Sequence, residues 1–145
     1  MTLAPVLRQA RVADAEEISR LSAELGYAAD VAVMRERLAV LTSHPDHRIS
    51  VLEEGNTLLG WISIEHRRTL QSGERIEIVG LVVDSRFRGT GIGRTLVSDA
   101  ERWARERGLG TICVRSNVER DISHPFYERL GYVRRKTQHF YSKLL

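Results

Sequence analysis

The sequence predicts a mixed α/β fold in a single domain, residues 1–145, with one sheet flanked by helices. Two observations support this fold class. Strand-like segments with alternating apolar residues and longer segments with apolar residues at helical spacing succeed one another along the chain. The length of 145 residues is near the commonest size of one domain, and 42% hydrophobic and 28% charged residues are ordinary values for a globular protein.

The N-terminal part is predicted to form one strand and two helices. Residues 5–10 alternate loosely and indicate the first strand. A helix should begin after Asp14, the expected N-cap, and end at Gly26, and a second should begin near Asp30 and end before Pro45. Each helix places an apolar stripe on the face expected to contact the core: Ile18, Leu21 and Leu25 in the first, and Met34, Leu38 and Leu41 in the second.

A hairpin is predicted next, with strands at residues 48–53 and 58–67 joined by a turn at residues 54–56. Because side chains alternate along a strand, the second of these strands has two distinct faces. One face carries Trp61, Ser63 and Glu65, and the other carries Ile62, Ile64 and His66.

Residues 74–84 form the longest predicted strand, and its later half is apolar on both faces, which is typical of an interior strand. Simple alternation places Ile76, Ile78 and Val82 on the same face. Gly80 interrupts the strand. An isolated glycine in a strand often marks a bulge or a close approach of backbone, and we expect one of these at Gly80.

A basic loop with glycines at positions 89, 91 and 93 follows this strand directly, and a helix begins inside the loop. Glycines let the backbone approach a ligand closely, and the free N–H groups and positive dipole end of a helix attract anions. The loop therefore predicts a phosphate site. The helix should continue to about Arg107 with one buried stripe, formed by Ile92, Leu96, Ala100, Trp103 and Ala104.

The C-terminal part is predicted to contain a buried strand at residues 111–115, a short helix at residues 120–130 and a last strand after Gly131. Residues 138–144 are expected to pair with that last strand as a final hairpin. Cys113, the single cysteine, lies in an apolar run and is interpreted as a buried small hydrophobic residue rather than a nucleophile.

The glycine spacing excludes two common phosphate sites. In a dinucleotide-binding fingerprint, G-x-G-x-x-G, the third glycine would fall at Arg94 or at Leu96. In a P-loop, Lys and then Ser or Thr follow the last glycine, whereas Arg94 and Thr95 follow Gly93 here, and the four-residue gap between glycines is missing. A different kind of phosphate site is therefore indicated.

Two motifs stand in order along the chain. The first is Arg88-x-x-Gly91-x-Gly93, between a strand and a helix, and the second is the segment Phe126 to Tyr132, where a helix with a Tyr ends in Leu-Gly-Tyr. Together they resemble the two signatures of the GNAT superfamily of N-acetyltransferases. The resemblance extends from Val6 to Leu144 and implies the GNAT fold, in which a mixed, mostly antiparallel sheet is splayed at its centre and flanked by helices.

The resemblance implies acetyl-CoA as the donor substrate. Backbone N–H groups of residues 88–93 would hold the pyrophosphate, residues 81–83 would pair with pantetheine, and Arg86, Arg88 or Arg94 would add charged contacts. A bulge at Gly80 would splay the sheet and admit the thioester. The donor-binding residues implied in this way are Leu81, Val82, Val83, Arg88, Gly89, Thr90, Gly91, Ile92, Gly93, Arg94, Asn117 and Phe126.

The reaction implied by the resemblance is acetylation of a primary amine, which needs a base for the amine proton and an acid for the departing thiolate. Tyr127 matches the family's general acid by position. Glu77, a few residues before the donor-binding segment, is the first candidate for the base, and a cross-strand ion pair with an Arg is its alternative role. Further candidates for the base are Glu65, His66 and His124.

Several of these residues also fit structural roles. Tyr127 could pack beside Phe126, Asn117 could cap the segment after it, and His124 could contact the N-terminus of the last helix beside Pro125. The alternative function is a non-catalytic acyl-CoA-binding regulatory module on the same fold. The presence of both Tyr127 and a carboxylate near the donor strand favours an enzyme.

Composition and residue spacing exclude other classes. The net charge of +3 and the pI near 9.4 reflect a small, dispersed basic excess, which argues against nucleic acid as a partner. The five histidines show no metal-ligand spacing, so no metal is predicted, and the absence of a signal peptide or membrane span indicates the cytoplasm. The acceptor is expected to be a small-molecule or peptide amine. Because relatives often pair through their C-terminal strands, a homodimer is also expected.

Overall fold

The structure is a computed structural model that describes residues 4–27, 29–116 and 123–145. Contacts within the chain divide it into two units, Met1–Val114 and Arg115–Leu145. The first unit contains the sheet and the predicted phosphate loop, and the second contains the helix with Tyr127. Asn117 and the predicted start of that helix lie outside the described residues.

The first unit contains a sheet and three α-helices. Its elements, in chain order, are β1 (Val6–Gln9), α1 (Ala15–Ala23), α2 (Val31–Thr42), β2 (His47–Glu54), β3 (Thr57–Thr69), β4 (Gly73–Val83), α3 (Ile92–Glu106) and β5 (Ile112–Val114). Among the described residues the strand order is β1-β2-β3-β4-β5, with β1 to β4 antiparallel and β5 parallel to β4. The predicted mixed, mostly antiparallel sheet is confirmed.

Helices cover both faces of this sheet. The apolar stripes of α1 and α2 meet inward side chains of β2 such as Val51, which is fully buried. The stripe of α3 packs on the opposite face, and all five predicted members are buried: Ile92, Leu96, Ala100, Trp103 and Ala104. In the part of the chain that the structure describes, no helix is long and apolar enough to cross a membrane.

The two predicted N-caps behave differently. Asp30 caps α2, because its carboxylate accepts a hydrogen bond from the N–H of Ala32 at 3.0 Å. Asp14 occupies the N-cap position of α1 but its side chain does not cap that helix. Its carboxylate instead accepts from the Arg8 guanidinium at 2.8 Å and the N–H of Arg11 at 2.7 Å. A charged donor from β1 thus takes the oxygens that a neutral N–H of α1 would use.

A β-bulge lies where Gly80 interrupts β4. Ser63 is opposite Gly80 and Ile64 is opposite Ile78, so Val79 has no partner in β3. The Trp61 ring packs directly against Gly80, where an added Cβ would lie 2.8 Å from Cζ3 of that ring. Both features expected of an isolated strand glycine are therefore present.

The bulge also corrects the predicted faces of β4. Ile76 and Ile78 lie on the α3 face with Ile62 and Ile64, but the extra residue reverses the alternation after position 79. Leu81, opposite Ile62, continues that face, whereas Val82 turns to the α1 side and joins the apolar cluster there. The prediction that Val82 shares a face with Ile76 and Ile78 was wrong.

The second unit contains helix α4 (Ser123–Arg129), which matches the described part of the predicted helix. The predicted last strand and the final hairpin at residues 138–144 are wrong, because the structure assigns no strand to residues 133–145. A strand gains stability from pairing and from burying one face. The large apolar side chains of this segment, Phe140, Tyr141 and Leu144, are 94%, 86% and 98% exposed, so neither face of such a strand would be buried.

Gly60, in β3, has no room for a side chain, a constraint that the sequence did not indicate. A Cβ at this position would lie 2.8 Å from the Val82 carbonyl oxygen and 3.1 Å from Cδ1 of Leu96. The contact with backbone cannot be relieved by a rotamer change, so β3, β4 or the start of α3 must shift.

Gly60→Ala is therefore expected to lower the free energy of unfolding by about 1–3 kcal/mol, as overpacking does elsewhere. Urea denaturation measures this value. Gly110→Ala is the matched control, because an added Cβ there meets no heavy atom within 4 Å and should change stability by less than about 0.5 kcal/mol. Equal stability of the two variants would contradict the packing argument.

Candidate active site

The glycine loop joins β4 to α3 through a short 3-10 helix at Ser85–Phe87. Gly89 and Gly91 have φ of +80° and +91°, and residues 88–91 are exposed. The first hydrogen bond of the α3 ladder runs from the Thr95 N–H to the Gly91 carbonyl at 3.0 Å. The N–H groups that precede it have no partner in the ladder and lie at the positive end of the helix: Ile92, Gly93 and Arg94.

The three arginines of this region have different environments. Arg86 is held by Asp84, with Nη2 at 2.9 Å from Oδ2 and Nε at 3.1 Å from Oδ1. Arg88 and Arg94 are exposed, and neither forms an ion pair with any residue that the structure describes. The guanidiniums of Arg88 and Arg94 are therefore available to bind an anion, whereas the guanidinium of Arg86 stabilises the loop through Asp84.

Asp84, at the end of β4, organises the start of this loop and was not singled out from the sequence. The carboxylate is fully buried and accepts from the side chain and N–H of Arg86 and from Arg20 of α1, at 3.1 Å. These hydrogen bonds, that of the Arg86 side chain foremost, hold the pKa of Asp84 well below its ordinary value. In addition, Glu24, the C-cap residue of α1, accepts from the N–H of Ser85 at 3.1 Å, so α1 and its C-cap each anchor the loop.

Among the described residues, the edge of β4 beyond the bulge has no strand partner on the β5 side. β5 pairs with β4 only at Ile76, Glu77 and Ile78. Within the described residues, Leu81, Val82 and Val83 therefore have ladder partners in β3 alone. Backbone groups at such an edge can pair with an extended ligand as an added strand would.

These features fit the pyrophosphate and pantetheine of acetyl-CoA. Helix N-terminal N–H groups and two free guanidiniums suit phosphate oxygens, and glycines at positive φ leave the approach to the loop clear of side chains. The open edge of β4 suits the amide groups of pantetheine. In the described residues no three His, Cys, Asp or Glu side chains are grouped as a metal site requires, and the absence of a metal stays a prediction.

Glu77 lies on the face of β3 and β4 that includes Gly80, and it is 5% exposed. Nη1 of Arg67 is 3.4 Å from both carboxylate oxygens, and Nη2 of Arg75 is 3.7 Å from Oε1. The alternative role proposed for Glu77, a cross-strand ion pair, is thus present. Sγ of Cys113 is 3.6 Å from the same carboxylate, so Cys113 is half-buried beside a charge rather than in a purely apolar environment.

The two candidates for the base in β3, Glu65 and His66, lie on opposite faces of the sheet, and the third, His124, belongs to α4 of the second unit. Glu65 is directly opposite Glu77 and shares its face. His66 is buried on the α3 face, with Nδ1 at 3.0 Å from Nη1 of Arg107 and Nε2 at 3.3 Å from Glu74. Since neighbouring residues of a strand point to opposite faces, Glu65 and not His66 is placed with Glu77.

Tyr127 belongs to the second unit, in α4. Its half-buried ring contacts Phe126 and Tyr132 edge-to-face, with centroids 5.1 and 5.7 Å apart. The Tyr127 carbonyl accepts from the N–H groups of Leu130 and Tyr132 at 3.0 and 3.1 Å, which ends α4 before Gly131. The aromatic packing beside Phe126 is present, and His124 and Pro125 lie within α4.

Comparison with known proteins adds a family assignment. The sequence model of the Acetyltransferase (GNAT) family matches residues 13–132. The aminoalkylphosphonate N-acetyltransferase of Salmonella typhimurium is 31% identical over 136 residues, which are 92% of this chain and 86% of that protein. The glucosamine 6-phosphate N-acetyltransferase of Trypanosoma brucei brucei is 28% identical over 106 residues, which are 72% of this chain and 67% of that protein.

A solved structure agrees with the fold. An aminoglycoside N-acetyltransferase in complex with CoA superposes with a TM-score of 0.87 at 17% identity, covering 99% of this chain and 96% of that one. At this identity the likeness concerns the fold. The family match contains both predicted motifs, from Arg88 to Gly93 and from Phe126 to Tyr132. The chain is a member of the GNAT family of acetyltransferases.

Proposed function

We propose that this protein transfers an acetyl group from acetyl-CoA to the primary amine of a small molecule. The observation that carries the proposal is the exposed loop at residues 88–91, where glycines at positive φ lead into the N-terminus of α3, flanked by two guanidiniums, of Arg88 and Arg94, without an ion-pair partner among the described residues. The relatives named above acetylate aminoalkylphosphonates and glucosamine 6-phosphate, both small amines. Membership of the family supports an enzyme of the same reaction class.

The donor is bound by two parts of the first unit. The N–H groups of Ile92, Gly93 and Arg94 hold the pyrophosphate, and Arg88 and Arg94 neutralise its charge. Backbone groups of Leu81, Val82 and Val83 hold the pantetheine arm along the open edge of β4. Bound acetyl-CoA supplies a thioester whose carbonyl carbon the amine attacks.

Two side chains move protons in this proposal. Glu77 accepts a proton from the acceptor ammonium, directly or through a water molecule, so that the neutral amine attacks. Tyr127 donates its phenolic proton to the sulfur as the C–S bond breaks and the new N–C bond forms. Because a CoA thiolate is a good leaving group, this second transfer accounts for only part of the barrier.

Tyr127→Phe is expected to lower kcat by about 10- to 100-fold, at the lower end of general-acid effects, because the thiolate can depart without full protonation. The Kd for acetyl-CoA should change less than about threefold, since the hydroxyl is not among the donor-binding groups. Stopped assays of free CoA release give kcat, and calorimetry gives Kd. The amines assayed should include aminoalkylphosphonates, amino sugars, polyamines and peptide N-termini.

Tyr141→Phe provides the matched control, because it removes the same hydroxyl from a side chain that is 86% exposed. Its kcat should equal that of the unmodified protein. Full activity of Tyr127→Phe would remove the general-acid role. Tight acetyl-CoA binding with no acetylation of any amine would instead support the non-catalytic acyl-CoA-binding module.

A further inference from the structure

We propose that Arg67 and Arg75 bind an anionic group of the acceptor, and that the acceptor is therefore a short primary amine carrying a phosphonate or phosphate group. This inference rests on the proposed function, since it names the acceptor of the same site. It is carried by the arrangement of four charged side chains on one face of β3 and β4, beside the bulge at Gly80.

The register of β3 and β4 places like charges directly opposite each other. Arg67 is opposite Arg75, and Glu65 is opposite Glu77, two positions further along each strand. Like charges in directly opposed positions destabilise a sheet. A pair of opposed arginines therefore needs a counter-anion, from the protein or from a ligand.

Glu77 supplies that counter-anion only in part. One carboxylate serves two guanidiniums, at 3.4 Å from Arg67 and 3.7 Å from Arg75, whereas good charge-assisted N–H···O bonds measure about 2.7–2.9 Å. Glu65, the other carboxylate of this face, forms no described ion pair with either arginine. Within the described residues, the two guanidiniums thus share one acidic partner, Glu77, at long distance.

The arginines keep donors that the described residues do not use. Nε of Arg75 is buried and has no hydrogen-bond partner in the part of the chain that the structure describes. The side chains of Arg67 and Arg75 are 32% and 19% exposed, so a ligand can reach both. Two converging guanidiniums with free donors match a tetrahedral dianion, whose oxygens accept several N–H groups at once.

The position of the arginines also limits the size of the acceptor. Arg67 and Arg75 are each two residues from the Glu65–Glu77 pair along their strands, which is about 7 Å at the rise of a strand. The bulge lies on the far side of that pair, at Val79 and Gly80. An acceptor whose anion lies at the arginines can bring its ammonium to Glu77 with a chain of two or three carbons.

Binding of such an acceptor also changes what Glu77 can do. The incoming anion replaces the Glu77 carboxylate on Arg67 and Arg75, and the released carboxylate then faces the ammonium of the same ligand. One N–H bond of the ammonium breaks and one O–H bond forms on Glu77, which leaves the neutral amine that attacks the thioester. The ion pair and the base are then successive roles of one residue.

The test compares acceptors of similar length that differ in their anion: 2-aminoethylphosphonate, β-alanine and propylamine. We expect kcat/KM for 2-aminoethylphosphonate to exceed that for propylamine by about 100-fold or more, as for a ligand that gains hydrogen bonds to charged groups. Arg67→Gln and Arg75→Gln should each lower this ratio by about 10- to 100-fold, mainly through KM.

Arg68→Gln is the matched control. Arg68 follows Arg67 but is on the opposite face, where it pairs with Asp46 at 2.6 Å and with Glu74 at 3.0 Å. Its substitution should leave the ratio unchanged. Circular dichroism and thermal unfolding establish that each variant is folded before its kinetics are compared.

Three results would overturn the inference: a ratio near one in the unmodified protein, an equal loss in Arg68→Gln, or faster turnover of β-alanine than of 2-aminoethylphosphonate. Failure of the proposed function is a separate result, namely acetyl-CoA binding by calorimetry without CoA release for any amine. In that case the inference is tested by calorimetric binding of 2-aminoethylphosphonate. Weaker binding by Arg67→Gln than by Arg68→Gln supports the anion site, and equal binding removes it.

Discussion

Gly91→Val is expected to raise the Kd for acetyl-CoA by about 1000-fold, a loss of about 4 kcal/mol of binding free energy. Gly91 immediately precedes α3 with φ of +91°, a backbone conformation that β-branched residues rarely adopt. To relieve this strain the loop must rotate, which turns the N–H groups of Ile92 and Gly93 away from the phosphate oxygens. Loss of two hydrogen bonds to a charged group, each worth about 1.5–3 kcal/mol, accounts for the predicted effect.

The side chain adds a second obstacle. An ideal Cβ at Gly91 meets no heavy atom of the described protein within 4 Å. That free space lies on the exposed side of the loop, where the proposed ligand must approach. A valine there is tolerated by the unliganded fold but occupies the volume that the pyrophosphate needs.

Gly108→Val separates these effects from backbone strain alone. Gly108 lies beyond the other end of α3, has φ of +73° and also has no heavy atom within 4 Å of an added Cβ. Both variants should lose similar stability, about 1–3 kcal/mol by urea denaturation, but only Gly91→Val should lose acetyl-CoA binding by calorimetry. Retained binding in Gly91→Val, or an equal loss in Gly108→Val, would contradict the phosphate role of the loop.

Features governed by neighbours along the chain were predictable from sequence. The faces of β3 follow simple alternation, and Ile62, Ile64 and His66 share one face as predicted, a face that is buried in the structure. The stripe of α3 follows helical spacing, and the glycine loop lies between a strand and a helix as its motif requires. Each of these depends on local periodicity or on the φ that glycine permits.

Features governed by pairing between distant segments were not predictable in the same way. Gly80 indicated a bulge, but the reversal of faces that moves Val82 to the α1 side depends on which residue of β4 is left unpaired. The strands predicted after Gly131 had a suitable pattern but have no ladder in the structure. An alternating pattern of apolar residues indicates a tendency to form a strand, but the segment becomes a strand only when another strand pairs with it.

Ion pairs between distant elements of the chain were not predicted from the sequence. Asp84 meets Arg20 across 64 positions of the chain, and Asp99 meets Arg48 across 51. A single sequence has no signal that links such residues, because any Asp and any Arg can pair. One available signal was an acidic residue among apolar ones: Asp99 lies three residues after Leu96 and four before Trp103, which places it on the apolar stripe of α3.

Asp99 is the polar contact that joins α3 to the sheet. It is 1% exposed, and its carboxylate accepts from Nε and Nη2 of Arg48 at 3.1 and 3.0 Å and from the Ser50 hydroxyl at 2.5 Å. Arg102, one turn later in α3, adds a fourth donor, with Nη2 at 2.5 Å from Oδ1, and its side chain is 57% exposed. The donors from β2 thus hold the middle of the helix whose N-terminus forms the proposed phosphate site.

Asp99→Asn is expected to lower the free energy of unfolding by about 3–5 kcal/mol at pH 7, the usual cost of removing one partner from a buried ion pair. The guanidinium of Arg48 would be left largely buried without an anion, and the asparagine amide would place a donor against donors. Arg102→Gln is the control, because it removes an exposed partner of the same carboxylate and should cost at most about 1 kcal/mol. Urea denaturation of both variants measures the difference.

Acid should reduce the difference in the free energy of unfolding between Asp99→Asn and the unmodified protein. Burial raises the pKa of Asp99, but hydrogen bonds from Arg48 and Ser50 outweigh that effect, so its pKa in the folded protein lies below the ordinary value. A carboxyl with a depressed pKa contributes its full stabilisation above its unfolded pKa of about 3.9 and loses it as pH falls toward the folded pKa. Urea unfolding at pH 7 and pH 3 should therefore show a smaller gap at pH 3. A gap that widens in acid, or a loss below about 1 kcal/mol at pH 7, would mean that the carboxylate is not the anchor of α3.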